Sequence, residues 1–331
     1  MFNIAVFGAG RIGKIHAGNL AARQDVKLKY IVDVHLPSAQ TLAALHGARV
    51  AGIDEVFADS AIDAVVICSS TDTHADLILR AAAAGKHLFC EKPVDLEIDR
   101  ARQCVDAVAR AGVKAMIGFQ RRYDPTFRAL KTRLEAGEIG EAEVLIITSR
   151  DPGAPPISYI ERSGGIFKDM LIHDFDVFRW ILGDEAASVQ AQASCLVDPA
   201  IEEAGDVDTT AVTIRTRGGR LCQINTSRRA AYGYDQRFEV LGSKGLLKAE
   251  NHRPTEVEAW TAGAVERDLP EHFFLERYRA AYAAEMAHFV GVLRGEHAPG
   301  STLADGLKAL ELAEAAMVSA RASRTTELAT L

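Results

Sequence analysis

The stretch NIAVFGAGRIGKIHAGNLAAR, opening at Asn3, leaves this chain little choice of fold. An apolar strand runs without a break into a turn holding Gly8, Gly10 and Gly13, and the turn runs straight into a helix-like segment. Strand, turn and helix joined this tightly are the opening unit of a sheet with crossover helices, and the tight turn asks for glycine. Glycine also lets backbone approach a pyrophosphate closely, while the helix start offers N–H groups and the positive end of its dipole. The next strand, LKYIVDV, carries Asp33 twenty residues after Gly13, where a carboxylate accepts from the hydroxyls of an adenosine ribose. The same charge repels a 2′-phosphate and so favours NAD over NADP, although Arg11 and His35 leave NADP open. Gly8, Gly10, Arg11, Ile12, Gly13 and Asp33 are the first cofactor candidates.

Further strand-and-helix units follow, with AIDAVVICSS running into a helix near 74–84, KHLFCEKP into a helix near 97–111, and then VKAMIGFQ. Apolar strands alternating with helices predict a doubly wound parallel sheet, whose ligands sit at the carboxyl ends of its strands. Two segments fall at such ends. SSTDTH supplies Ser69, Thr71 and His74 near where ribose and nicotinamide would lie, although Ser and Thr there also suit a plain helix cap. EKP supplies Glu91 and Lys92. A loop lysine is ordinarily a solvated surface group. Lys92 differs because it stands directly behind an apolar strand and before Pro93, so the strand end aims it at the crevice, where a cation can hold a substrate hydroxyl and stabilise an alkoxide.

From about residue 121 the pattern changes to a helix near 125–136, the strand EAEVLIITSR, the helix-like GIFKDMLIHDFDVFRW, and a series of short strands joined by turns such as RGG and GSKG. Two closing helices are expected near 275–294 and 302–322, able to pack against either domain. The predicted fold class is α/β: a Rossmann-type doubly wound parallel sheet over residues 1–121, then an α+β domain over 122–331 with a large, mainly antiparallel open sheet, for substrate binding and oligomerisation. Within GIFKDMLIHDFDVFRW, at about 100° per residue, Asp169, His173, Asp176 and Trp180 share one stripe, and Leu171, Phe175 and Phe178 lie opposite. Acids and an imidazole among apolar neighbours are costly unless paired or used. Oxidising a secondary alcohol requires a base; His173 suits that role, with Asp169 to orient it and Asp176 to hold its other ring nitrogen. No ligand spacing for a metal is present, and the Pro-rich DPGAPPIS at 151–158 is placed to line a site.

Composition narrows the partner. A net charge of −7 with scattered Lys and Arg excludes a nucleic-acid footprint and leaves a small molecule. Five cysteines without CxxC spacing fit buried thiols in a reducing cytosol, so a cytoplasmic location is expected. No charged leader opens the sequence and no apolar run nears eighteen residues, so neither secretion nor membrane spanning is expected.

GAGRIGKIHA, SSTDTHAD, CEKP and DMLIHDFDVFRW, in this order and spacing over essentially the whole chain, resemble the Gfo/Idh/MocA oxidoreductases. The resemblance implies NAD-dependent oxidation of one ring hydroxyl of a cyclic polyol, myo-inositol, to the 2-ketone, usually in a homotetramer assembled through the C-terminal sheets. It places the catalytic lysine, aspartate and histidine on Lys92, Asp169 and His173, and further polyol contacts on Arg121, Asp151 and Tyr234. Ser149 and Asp151 stand where some members carry histidine and asparagine, which leaves the preferred stereoisomer open. The rival readings are an aldose dehydrogenase and a non-catalytic dinucleotide-binding sensor; intact Lys92, Asp169 and His173 speak against the sensor.

Overall fold

The computed structural model describes residues 1–328. The chain divides into two compact units that are not contiguous in sequence, Met1–Tyr123 with Ala281–Leu310, and Asp124–Ala280 with Glu311 onward.

The first unit builds β1 (Phe2–Phe7), α1 (Arg11–Ala21), β2 (Val26–Val32), α2 (Leu36–His46), β3 (Arg49–Val50), α3 (Ile53–Ala58), β4 (Ala64–Ile67), α4 (His74–Ala83), β5 (His87–Glu91), α5 (Ile98–Ala111) and β6 (Ala115–Gly118). Its six strands run in the order β3-β2-β1-β4-β5-β6, all parallel. This is the doubly wound sheet expected from the alternation of strands and helices. Because helices cover both faces, strands read as continuous apolar runs; Ile4, Val6, Val66 and Phe89 are wholly buried. Register does the rest. Phe7 lies opposite Ile67, and Ile67 opposite Cys90, so the glycine turn, SSTDTH and EKP leave neighbouring strands at one edge of the sheet.

The second unit opens with α6 (Pro125–Glu135), whose first turn is set by Asp124: its carboxylate accepts from the amides of Thr126 and Phe127, and Pro125 follows at the first helical position. Then come β7 (Ala142–Arg150), α7 (Ile157–Ser163), α8 (Gly165–Asp169), α9 (Leu171–Leu182), β8 (Ala186–Ser194), α10 (Pro199–Glu203), β9 (Thr209–Thr216), β10 (Leu221–Ser227), β11 (Asp235–Gly242), β12 (Gly245–Ala249), the hairpin β13 (Glu258–Trp260) and β14 (Val265–Arg267), and α11 (Phe274–Arg277). Last in the chain are α12 (Arg279–Arg294), α13 (Leu303–Ala322) and β15 (Thr326–Glu327). The large sheet runs β12-β11-β7-β10-β9-β8-β15. Only β7 and β10 pair in parallel; the other described pairs are antiparallel. In β9, Thr210, Val212, Ile214 and Thr216 are buried and alternate with outward residues, the period of a sheet covered on one face.

One departure from the sequence expectations matters. GIFKDMLIHDFDVFRW is not one helix but two, α8 and α9, joined at Met170. Residues 281–310, from the two closing helices, group with the dinucleotide unit, one of the placements that the sequence leaves open for them. Among the described residues no helix is long and apolar enough to cross a membrane.

Candidate active site

The glycine turn is a backbone device. Gly8 has φ +103°, and a Cβ there would stand 2.4 Å from the carbonyl oxygen of Cys68. A Cβ on Gly13 would stand 2.0 Å from the carbonyl oxygen of Gly8, which brings the start of α1 hard against the turn. Gly10 is the opposite case: nothing lies within 4 Å of its Cβ position, and no side chain caps the helix it begins. The open side and uncapped amides fit a dinucleotide pyrophosphate. Asp33 is fastened to the same turn, one oxygen accepting from the Ala9 amide at 2.6 Å and the other from the His35 amide at 2.7 Å. It remains half-exposed, able to receive ribose hydroxyls. Arg11 is exposed and Ile12 half-buried in the first turn of α1.

At the neighbouring strand ends, the Ser69 hydroxyl lies 2.6 Å from that of Thr73, and Thr71 starts a short 3-10 turn. His74 departs from its expected place at the cofactor. Its ring is buried, with Nδ1 2.7 Å from the carbonyl of Pro93 and Nε2 3.0 Å from that of Ser69. Burial pushes its pKa down, against the pull of those carbonyls. A neutral ring carries one N–H and donates to only one of these two carbonyls at a time, and in either tautomer the buried ring packs between SSTDTH and the EKP loop.

Lys92 is half-buried, as is Glu91 before it. Glu91 meets His16 of α1, Nε2 to Oε1 at 2.6 Å, and Glu285 of α12 completes a group whose ligand-type atoms all lie within 4.8 Å of one another. The His16–Glu91 approach has the length of a hydrogen bond. Neither His16 nor Glu285 stood out in the sequence; a His on an amphipathic helix and a Glu in an Ala-rich one look ordinary. Arg121 is buried in the turn that follows β6.

In the second unit the α8/α9 join presents Asp169 and His173. Gly164 and Gly165 enter α8 with φ +84° and +74°. Asp206 reaches back to this entry, both carboxylate oxygens accepting from the Ile166 amide at 3.1 Å. At the other end the Met170 amide donates to Ile166 at 3.1 Å and the His173 amide to Met170 at 3.3 Å, a tight turn between the two helices. Asp169 ends α8; its Oδ1 accepts from the Tyr159 hydroxyl at 2.9 Å, and its Oδ2 faces the Arg228 guanidinium at 3.9 Å. His173 follows in the first turn of α9, half-buried.

Asp174 and Asp176, beside His173, are wholly buried. The sequence singled out Asp176, yet Asp174 carries a long-range chain: Gln236 donates to it at 3.3 Å, and the Ser149 hydroxyl donates to Gln236 at 2.9 Å. Ser149 is therefore a buried residue of β7 and not part of an open substrate loop. Asp151, just past β7, is half-exposed, and its amide donates to Ser227 at 3.0 Å. Tyr234 is buried edge-on against Tyr278, with ring centres 5.7 Å apart. Its neighbour Tyr232 is the exposed member of YGYD and receives a hydrogen bond from Arg150 at 2.9 Å. The thiols of Cys90, Cys104 and Cys222 are buried, and burial pushes all three up, Cys104 to about 12. They are inert packing groups.

Residues 2–119 match the model of an oxidoreductase family with an NAD-binding Rossmann fold, and residues 127–248 match that of the GFO/IDH/MocA C-terminal domain. The chain is similar to an inositol 2-dehydrogenase of Rhizobium meliloti (strain 1021), 48% identical over 326 residues and covering 98% of each. Among solved structures it is similar to a myo-inositol dehydrogenase from Corynebacterium glutamicum ATCC 13032, with TM-score 0.96, 45% identity and 100% of each chain covered. It is also similar to scyllo-inositol dehydrogenase from Lactobacillus casei with bound NAD(H) and scyllo-inositol, with TM-score 0.93, 30% identity and 100% of each chain covered.

Proposed function

The chain belongs to the Gfo/Idh/MocA oxidoreductases, and from that premise we propose that it is an NAD-dependent inositol 2-dehydrogenase that converts myo-inositol to its 2-ketone. The observation that carries the reading is the α8/α9 join, where an acid held by Tyr159 and Arg228 precedes a half-buried histidine by one turn. The names of the full-length relatives supply the substrate class.

NAD, when bound, supplies the carbon that accepts a hydride. The glycine turn takes the pyrophosphate on its open side at Gly10, and Asp33 receives the ribose hydroxyls and repels a 2′-phosphate. His173 takes the proton of the substrate hydroxyl. Asp169 orients the ring and favours the imidazolium that forms. Lys92 steadies the substrate oxygen while its negative charge develops. Arg121 and Asp151 bind the remaining hydroxyls. Tyr234, buried edge-on against Tyr278, is the third residue assigned to the polyol. Leu221, Leu241 and Leu246, each 43% exposed on strands of the large sheet, support a homotetramer built through that sheet, and five cysteines without CxxC spacing support a place in the cytoplasm.

The test is initial-rate NADH formation with NAD and with NADP, against myo-, scyllo- and D-chiro-inositol, glucose, galactose and xylose. A kcat/KM highest for myo-inositol with NAD is expected. A preference for scyllo-inositol, the substrate named for the Lactobacillus casei relative, moves the assignment within the class, and a lactone from a sugar replaces it. In His173→Ala, kcat should fall roughly 100- to 10,000-fold with NAD binding retained; near-normal turnover removes the histidine from the mechanism.

A further inference from the structure

Arg228 is 1% exposed, the bulkiest of the fully buried side chains. It follows β10, and its own amide donates to the Asp208 carbonyl at 2.9 Å, so its main chain is fixed. Its Nη2 lies 3.4 Å from Oδ2 of Asp206, and its Nη1 lies 3.9 Å from Oδ2 of Asp169. Its Nε is buried without a hydrogen-bond partner. A guanidinium is costly to bury unless opposite charge compensates it, and here the compensation comes from two acids far apart in sequence.

Each acid governs one end of α8. Asp206 accepts from the Ile166 amide at its start, and Asp169 is its last residue. A Cβ on Gly165 would stand 2.6 Å from Oδ1 of Asp206, so the carboxylate sits close against the helix entry. One buried cation thus spans both ends of the short helix that delivers Asp169 to the α8/α9 join.

We propose that Arg228 is a positioning residue of the reaction, holding the Asp169 carboxylate in place so that it can orient His173. This rests on the reading in which Asp169 acts on His173. The groups facing Asp169 include the Tyr159 hydroxyl, the Arg228 guanidinium and, through that guanidinium, Asp206. On its own segment are His173 and Lys168, whose ammonium is engaged with Glu314 at 2.9 Å. With the Arg228 guanidinium removed, the Asp169 and Asp206 carboxylates lose the cation that lies between them.

The experiment compares Arg228→Gln, Arg228→Lys and Asp169→Asn in the full chain, with NAD and myo-inositol or whichever polyol the substrate panel prefers. In Arg228→Gln, kcat should fall roughly 100-fold, the KM for NAD should hold, and the acid limb of kcat/KM should move to higher pH. Arg228→Lys, which keeps the charge without the fork, should lose only about tenfold and shift the limb less. An unchanged acid limb in both variants, or equal losses in both, overturns the proposal, because a purely structural arginine would give that result. Wild-type turnover in Asp169→Asn overturns the catalytic reading instead, whatever Arg228 does. If melting shows that Arg228→Gln does not fold, Arg228→Lys decides: a reduced kcat with a raised acid limb supports the proposal, and wild-type values end it.

Discussion

The glycine turn of the first unit and the α8/α9 join of the second both rest on glycines with positive φ, yet they are built from different materials. Around Gly8 and Gly13, the atoms a Cβ would strike are main-chain oxygens, of Cys68 and of Gly8 itself. Around Gly165, the struck atom is a side-chain carboxylate oxygen of Asp206, held there by the Ile166 amide and Arg228. The first site is a steric object made by the backbone. The second is an electrostatic object made by acids and a base gathered from positions 159 to 228. A steric site specifies itself in the local sequence, and its damage is a damaged fold; a charge-built site is dispersed through the sequence, and its damage is a mistuned reaction.

The sharpest way to break that contrast lies inside the glycine turn. Gly8→Ala forces a Cβ to 2.4 Å from a carbonyl oxygen at φ +103°, and the expected loss is about 3 kcal/mol or more with NAD binding abolished. Gly10→Ala adds the same methyl where nothing lies within 4 Å, so melting should be nearly unchanged while the KM for NAD rises about tenfold as the methyl crowds the pyrophosphate. Equal melting losses in the two variants would show that neither the positive φ of Gly8 nor its contact with the Cys68 carbonyl sets the stability of the turn.

Gly165→Ala should cost less, about 1–3 kcal/mol, since the conflicting atom is the end of a side chain that can shift. Its more telling effect is on catalysis: displacing Asp206 disturbs Arg228, so kcat should fall by more than the loss of folded protein explains. A kcat that tracks the folded fraction alone would return the α8 entry to a merely structural role. Smaller still is Asp33→Asn, which drops the charge and keeps one of the two hydrogen bonds to the turn, since only its amide oxygen can accept. The NAD over NADP preference in kcat/KM should shrink about tenfold, near 1.4 kcal/mol, with a melting loss of about 1 kcal/mol for the bond given up.

The same division explains what could be read from the sequence. The glycine spacing, Asp33 and the alternation of strands and helices are local signals, and they locate the parallel sheet and its ligand edge. The α8/α9 join escaped because Met170 keeps nearly helical angles, φ −94° and ψ −57°, so the apolar period runs across it undisturbed. His74 looked like a ligand group because its decisive partner, the Pro93 carbonyl, is nineteen residues away. Arg228 was passed over because arginine is usually exposed, and nothing near it in sequence announces Asp169 or Asp206. Short strands with tight turns signal antiparallel hairpins, which hid the parallel pairing of β7 with β10.

The smallest expected effect falls on the charge-built side and is read in pH. Asp208 ties the chain after β8 to β9, accepting from the amides of Leu196, Val197 and Asp198. Burial pushes its carboxyl up, but those amides, with the Cys195 thiol and the Thr209 hydroxyl, more than offset this and bring it down to about 2. A carboxyl depressed on folding stabilises the protein fully above its unfolded value of 3.8, and the contribution drains away as pH falls toward about 2. Asp208→Asn removes that titration and keeps one acceptor oxygen. The variant should therefore be less stable than the parent at pH 7, and the gap should narrow between about pH 4 and pH 2 in denaturant unfolding, while other acids titrate alike in both. A gap that stays constant through that window would mean that the loop is held by the shape of its hydrogen bonds and not by charge, which would move this corner of the second unit to the steric side of the contrast.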